Sequence, residues 1–599
     1  MKHLAHLNKY FFKYRYRLMA GVFFVAVSNL FGVLFPIVIR YAFDLVKDNI
    51  AFFWMFEGFD LQTEFRSVFK HGLLLFGVSV LLIAVLKGVF MFFMRQTIIV
   101  VSRLIEYDLK NEIYAHYQRS DWAFFKRNKT GDLMSRITED VSRVRMYLGP
   151  ALMYGVNLTV LFVLVISVMI SVNPTLTLFV LLPLPILSIS IYYVNNIINK
   201  KSEAIQRQLS GLTSTAQEVF SGIRVIKTYV LEKTVGKSFD KDCETYKDKS
   251  LELAKVEAFF FPLMLLLIGL STILTIYVGG IFVIRGDITT GNIAEFVIYV
   301  NMLTWPVTAI GWVASTIQRA AASQQRINEF LNTEPEIVSE GYEKEVKEGK
   351  IAFENVSFTY PDTGKTALQN LSFELKAGQK MAVIGRTGSG KSSIADLLVR
   401  LYDATEGEVK IDDVPVKYYD LYAYRSEIGY VPQDVFLFSD SIEKNITFGL
   451  DLEEMSVKAD PQKFAEMASI HHEIMELPSQ YQTRTGERGV SLSGGQKQRI
   501  SIARAFIKDP KIIILDDCLS AVDAKTEKNI LSQFKTYLKD KTTVIITHRI
   551  FSLLEFDKII VLDDGKIVEE GTHETLMRQK GHYYKLYVQQ KKGQNSMKL

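Results

Sequence analysis

Glycine, lysine and serine come together in one stretch at a spacing that grips phosphate. Gly385, Arg386, Thr387, Gly388, Ser389, Gly390, Lys391 and Ser392 fit the pattern GxxxxGK followed by Ser or Thr, and Ser393 comes next. A strand-like run over 381–384 precedes the pattern and a helical run to Arg400 follows it, the context such a loop needs. Glycines let the backbone turn its N–H groups toward phosphate oxygens, and the helix N-terminus adds a favourable dipole. Lys391 is then placed to reach the β- and γ-phosphates, and the Ser392 hydroxyl to ligate Mg²⁺. A second apolar strand over 512–515 ends in Asp516, whose carboxylate would hold the same Mg²⁺ through its waters. These residues predict binding of ATP with Mg²⁺ and transfer of the terminal phosphoryl group.

Such a loop needs an α/β domain to hold it. From Ile351 onward short β-rich runs alternate with helical runs, the pattern of that fold class. The 599 residues are too many for one core. The expected division is a lead-in helix over 1–17, an all-α six-helix transmembrane domain over 18–320, a linker over 321–350, an ATP-binding α/β domain over 351–590 and a polar tail over 591–599.

The membrane half is read from hydropathy. Hydrophobic residues make up 48% of the chain, mean hydropathy is +0.13, and the apolar character is confined to roughly the first 320 residues. Six runs, over 18–43, 73–94, 152–172, 176–194, 258–284 and 293–316, are long enough to cross a hydrocarbon core, which needs ~20 residues. Lys9, Lys13, Arg15 and Arg17 precede the first run, and the polar stretches 95–145 and 196–255 are rich in Lys and Arg. The positive-inside rule places all three in the cytoplasm. The basic start leads into a long apolar run with no small-residue cleavage site, so it reads as an amphipathic lead-in rather than a cleaved signal peptide. Residues 98–117 and 199–229 keep a helical pattern without breakers, as if the spans continued into the cytoplasm as long helical extensions.

Particular residues inside these runs carry expectations. A cation at mid-bilayer costs about 2.5–3.5 kcal/mol on insertion scales, so Lys87 is expected to face the bundle interior or a wet cavity; cargo binding, structural pairing and snorkelling all stay open for it. Arg40 is expected to reach the headgroups. Pro36, Pro183, Pro185, Pro262 and Pro306 predict kinks or local unwinding. Cys243 and Cys518 form no CxxC spacing, so neither a disulfide nor a zinc framework is expected. A net charge of +5 is too small for this length to point to nucleic acid.

Between the phosphate loop and Asp516 lie Leu492, Ser493, Gly494, Gly495 and Gln496, followed by Lys497, Gln498 and Arg499. The run LSGGQ resembles the signature of ABC ATPases, and further elements match that family in order. Tyr360 resembles the aromatic residue that stacks on adenine. Gln433 resembles the glutamine that senses Mg²⁺ and the attacking water, and joins Ser392 and Asp516 as an implied Mg²⁺ ligand. The loop 485–489, with Glu487, resembles the exporter loop that touches the coupling helices. Residues 520–523 resemble the D-loop, and His548 resembles the switch histidine at the γ-phosphate. In the membrane half, 122–125, 130–136 with Asp132, Asp140, and 218–227 beginning at Glu218 resemble coupling regions. The resemblance to ABC exporters covers essentially the whole chain. It implies a six-helix membrane domain followed by an α/β P-loop ATPase domain of ABC type. It further implies a multi-pass protein of a bacterial inner (cell) membrane with its ATP domain in the cytoplasm. The implied function is ATP-driven export of a small amphipathic compound or lipid by alternating access. The implied partners are the lipid bilayer, the cargo and a second half-transporter, and no nucleic acid.

One position departs from the family. Where the family has Glu as general base after the strand aspartate, this chain has Asp517. Asp is one methylene shorter, so its carboxylate stops roughly 1.5 Å back, and misplacement of that size costs about 10²-fold in rate. The family includes heterodimers in which one half carries an impaired site but an intact LSGGQ that completes the partner's site. This chain has that combination. The expectation is therefore a heterodimer with a slow site at this chain's own phosphate loop. A homodimer in which Asp517 still serves stays open, because Gln433 and His548 are retained. An ATP-gated channel or regulatory subunit on the same fold is a further alternative.

Overall fold

A helix ends where a breaker ends it, not where its apolar residues run out, and the membrane helices of this chain all overrun their apolar stretches. The computed structural model describes residues 2–55, 58–59, 61–339, 341–450, 460–548 and 556–596. Six helices are long and apolar enough to cross a membrane: α1 (Arg15–Met55), α2 (Leu61–Arg119), α3 (Thr130–Val172), α4 (Pro174–Ser221), α5 (Glu232–Arg285) and α6 (Thr290–Leu331). At 1.5 Å per residue, the 59 residues of α2 span about 90 Å, roughly three times a hydrocarbon core. The cytoplasmic extensions expected over 98–117 and 199–229 are helical to Arg119 and, with a break at Gly222, to Thr228.

Caps and turns set the remaining boundaries. The Asn173 side chain accepts from Leu176 N at the start of α4, and Thr289 and Asn292 form a capping box at the start of α6. α4 breaks at Leu182, immediately before Pro183, whereas Pro36, Pro262 and Pro306 lie within continuous helix. π-turns interrupt α3 at Arg136–Asp140 and Tyr147–Ala151. The expected single lead-in helix is instead a 3-10 turn, Lys2–Leu7, and a short helix, Asn8–Lys13. Lys9 and Lys13 pin it to α2 through Glu112 (2.5 Å) and Asp108 (2.6 Å).

Arg40 corrects an expectation. It does not reach for headgroups; its Nη1 lies 3.1 Å from Glu295 Oε2 on α6, and Glu295 is fully buried. Tyr299 OH donates to the other Glu295 oxygen at 3.1 Å, and Asn292 Nδ2 donates to Oε2 at 3.2 Å. Nearby, Asp44 accepts from Thr289 Oγ1 (2.7 Å) and Gly291 N (2.8 Å). Buried charge is tolerated only when paired, so this cluster fastens α1 to α6. Glu295→Gln keeps an acceptor for Tyr299 but leaves Arg40 without its countercharge. We expect it to destabilise the membrane domain by about 1–3 kcal/mol, read as a lower thermal unfolding midpoint in detergent.

The chain divides into two units, 1–117 with 131–333 and 118–130 with 334–599. The first has a core of α3–α6 residues such as Val165, Met169, Leu176, Phe296 and Leu303. In the second, β1 (Ile351–Thr359), β2 (Thr366–Leu375), β4 (Glu406–Ile411) and β5 (Val414–Pro415) form an antiparallel sheet in the order β2-β1-β4-β5. A six-stranded sheet in the order β10-β9-β3-β8-β7-β6 combines β3 (Lys380–Gly385), β6 (Ile428–Val431), β7 (Ile512–Asp516), β8 (Thr542–Ile546), β9 (Lys558–Asp563) and β10 (Lys566–Gly571). All its pairs are parallel except β9 with β10. β7 and β8 are buried along their whole length, which is why they read as unbroken apolar or β-branched runs. A helix, His582–Ser596, covers the first part of the expected polar tail; 597–599 lie outside the described residues.

Candidate active site

In an open parallel sheet, ligands bind beyond the carboxyl ends of the strands, and the singled-out residues sit there. β3 ends in Gly385, β7 in Asp516, and Thr547 and His548 follow β8. Helix α7 (Lys391–Leu398) begins directly at the phosphate loop. A cavity of about 280 Å³ opens over these ends, lined among others by Tyr360, Lys391, Ser392, Gln433, Asp516 and His548. Thr387, Gly388, Gly390, Ser393 and Asp517 line it too. Gly385, Arg386 and Ser389 shape the loop without lining the cavity.

The loop conformation demands glycine at Gly390. Its φ is +96°, and a Cβ there would stand 2.3 Å from the Ala367 carbonyl oxygen. The loop carbonyls of Gly385 and Arg386 accept from Lys391 Nζ at 3.0 and 2.8 Å. Burial pulls the Lys391 ammonium below its ordinary pKa, against the opposing pull of Asp516 and Asp517. Burial also pushes the Asp516 carboxyl up to about 6; the Ser392 hydroxyl bonded to it opposes that shift and the Asp517 charge adds to it. A buried acid beside a second acid and a serine hydroxyl is a group that a cation would keep ionised. Ser392, Gln433 and Asp516 therefore fit Mg²⁺ by donor chemistry.

Asp517 is in the left-handed region at φ 48°, where aspartate is one of the better-tolerated residues. Its N–H donates to Ile546 O at 2.8 Å, and its Oδ1 lies 3.0 Å from His548 Nδ1. The two groups expected to act on water are thus in direct contact. Tyr360 OH is anchored by Ser393 Oγ (2.8 Å) and Asp396 Oδ2 (3.3 Å), and burial pushes its hydroxyl up to about 12. Phe358 and Tyr402 meet its ring edge-on at 4.7 and 5.5 Å.

The LSGGQ residues do not line this cavity among its described residues. Ser493 instead caps helix α8 (Gly494–Phe506): its Oγ accepts from Gln496 N at 3.3 Å, and Gln496 Oε1 accepts from Ser493 N at 2.9 Å. Gln496 Nε2 donates to Glu473 at 2.9 Å, and the other Glu473 oxygen accepts from Arg499 Nη1 at 2.6 Å. Gln498 ties α8 to the loop after Asp517, donating to Ser520 Oγ at 3.1 Å and accepting from Ala521 N at 3.1 Å.

Of the residues expected at the coupling regions, Asp132 and Glu218 belong to the first unit and Glu487 to the second. Asp132 is engaged by Arg136 (2.7 Å) and Arg326 (2.5 Å) within the first unit. Glu218 is exposed near the end of α4, and Glu487 is exposed in a 3-10 turn of the second unit. Sequence reasoning missed Lys126. The segment 118–130 packs with the second unit: Ala123 joins its core, Arg127 pairs with Glu336 at 2.6 Å, and Lys126 Nζ stands 5.4 Å from the centroid of the Tyr360 ring. No local pattern announces a contact between residues so far apart in sequence. Glu473 was equally invisible, being one acid among many in a polar stretch.

The model for the ABC transporter transmembrane region matches residues 18–307, and the ABC transporter model matches 368–520. The multidrug resistance-like ATP-binding protein MdlA of Escherichia coli is 36% identical over 86% of this chain and 87% of its own length. The probable multidrug resistance ABC transporter ATP-binding/permease protein YheI of Bacillus subtilis is 37% identical over 82% of this chain and 83% of its own length. Among solved structures, a bacterial Atm1-family ABC exporter with ATP bound superposes with a TM-score of 0.75 at 25% identity, covering 96% of this chain and 99% of that one.

Proposed function

Because this chain belongs to the ABC transporter family, with transmembrane region and ATPase domain fused in one polypeptide, we propose that it is the slow-site half of a heterodimeric exporter of small amphipathic compounds or lipids. It is a multi-pass membrane protein that couples ATP hydrolysis to multidrug-type export, and exporters of this fold work as dimers. The single observation that carries the finer reading is Asp517: a short carboxylate after the strand aspartate, with its N–H fixed to Ile546 and its Oδ1 on His548. We place the protein in a bacterial inner membrane with its ATP domain in the cytoplasm.

In this reading Tyr360 stacks on the adenine. Lys391 leaves the loop carbonyls for the β- and γ-phosphates. Ser392, Gln433 and Asp516 hold Mg²⁺, which neutralises phosphate charge when bound. Asp517 and His548 orient the attacking water, and do so slowly because the carboxylate stops short. Ser493 to Gln496, held by Glu473, complete the partner's ATP site. Two bound ATP favour the closed pair of ATP domains. That preference must exceed the free-energy difference between inward- and outward-facing membrane states. The Asp517–His548 contact also supports a second reading, a homodimer in which the pair polarises water by itself. Co-purification from native membranes tests the first: a non-identical chain of the same family is expected, and a homogeneous dimer contradicts it.

Protons compete with Mg²⁺ for Asp516. With its carboxyl near pKa 6 in the nucleotide-free protein, the ionised form dominates above that value and the protonated form below it. Mg²⁺-dependent ATP affinity is therefore expected to be flat above about pH 7 and to fall about tenfold per unit below about pH 6. A titration of a fluorescent ATP analogue from acid to neutral pH checks this.

A further inference from the structure

The six apolar runs contain three charged residues: Arg40, Lys87 and Glu295. Arg40 and Glu295 satisfy each other at 3.1 Å. That leaves Lys87 of α2, seven residues inside the end of its run at Met94, or about 10 Å at the helical rise. Among the described residues no hydrogen bond or ion pair reaches its ammonium. The side chain is exposed and lies across α1 where that helix carries no side chain of its own: Nζ is 3.4 Å from where a Cβ on Gly32 would stand, and the Met302 methyl of α6 is 3.7 Å from the same point. The ammonium thus points between α1 and α6 and not along α2 toward an interface.

The surroundings are those of a binding surface for one polar group and one apolar tail. Ser28 Oγ donates to the Lys87 carbonyl at 3.4 Å, and Asn29 Nδ2 of α1 donates to Asn157 Oδ1 of α3 at 2.9 Å. Phe31 and Phe90 stack beside them with centroids 5.7 Å apart. Within this chain no carboxylate of the apolar runs is free for Lys87, because the single acid there, Glu295, is taken by Arg40. An ionisable residue inside a span, left without an internal partner, marks a functional site by default, and a cation there suits an anion.

We propose that Lys87 recognises the charged group of the cargo, and that the cargo class is an anionic amphiphile: an alkyl or acyl chain carrying a carboxylate or phosphate. This rests on the exporter reading and adds the chemistry of its cargo. The full-length chain in phosphatidylcholine nanodiscs is titrated with dodecyl phosphate and with dodecyltrimethylammonium, read by tryptophan fluorescence against empty discs. The wild type should half-saturate with the phosphate at a concentration at least about tenfold lower than with the cation, as a charge-assisted contact gives. Lys87→Gln should lose that preference and Lys87→Arg keep it. A wild type without anion preference, or a folded Lys87→Gln that retains it, overturns the proposal; if the variants fail to fold, the wild-type comparison decides alone. Phosphatidylglycerol in the discs should weaken the dodecyl phosphate response if the natural ligand is a bilayer lipid, and leave it unchanged if it is a soluble amphiphile. Binding needs no ATP turnover. A wild type that lacks anion preference while its ATPase is intact therefore sinks this inference alone, while a failure of the exporter reading leaves the binding result standing.

Discussion

Two copies of the chain fused in tandem and carrying Asp517→Glu are expected to hydrolyse ATP about 100-fold faster than the wild-type tandem. In the proposed arrangement each LSGGQ segment would meet the other copy's phosphate loop, and the two tandems would differ in the proposed general base alone. The backbone at Asp517 is fixed by its φ of 48° and by the 2.8 Å bond from its N–H to Ile546 O. A backbone shift that recovered the missing methylene would have to break that bond. The longer side chain also reaches past the 3.0 Å contact with His548, which frees that ring for phosphate. Equal rates in the two tandems would mean that Asp517 already places its carboxylate correctly, or works jointly with His548.

Lys391→Ala should weaken ATP binding to the full-length chain by about 10²- to 10⁴-fold, since two hydrogen bonds from a charged donor, at about 1.5–3 kcal/mol each, are lost together. The size of the effect follows from the position of the group. Lys391 is partly buried at the base of the cavity, its ammonium already held by the loop carbonyls of Gly385 and Arg386. Among the described residues Lys365 is the one other lysine or arginine lining the cavity, and it lies outside the phosphate loop. Binding of a fluorescent ATP analogue reads the loss directly, and unchanged affinity would place the nucleotide elsewhere.

Much of the candidate site's arrangement is legible in the sequence, because it is built from short runs whose order is fixed by backbone geometry. Gly390 must be glycine to bring Lys391 to the mouth of β3, and an acid at the end of an apolar strand must sit on the same sheet edge. The six membrane helices were legible too, since hydropathy measures what lipid requires. Hydropathy does not measure where a helix stops: the first apolar run ends near residue 43, and α1 continues to Met55. Pairings across the fold were out of reach. Arg40 finds Glu295 and Lys126 finds Tyr360 over separations of more than two hundred residues, with no periodic signal to join them. Arg40 was misassigned for a definite reason: snorkelling is the default for an isolated cation near a span end, and a buried partner on another helix overrides it.

The central claim is that this chain's own phosphate loop sits in a site that hydrolyses ATP slowly and needs a different chain to form a fast one. ATP turnover by the wild-type chain, purified alone and reconstituted in lipid vesicles, tests it most directly. Turnover below about 0.1 per second is expected, two orders under the usual enzyme scale, with the chain monomeric or weakly paired. A stable dimer of this chain alone, turning over several ATP per second, would contradict it and establish a working homodimer built on Asp517.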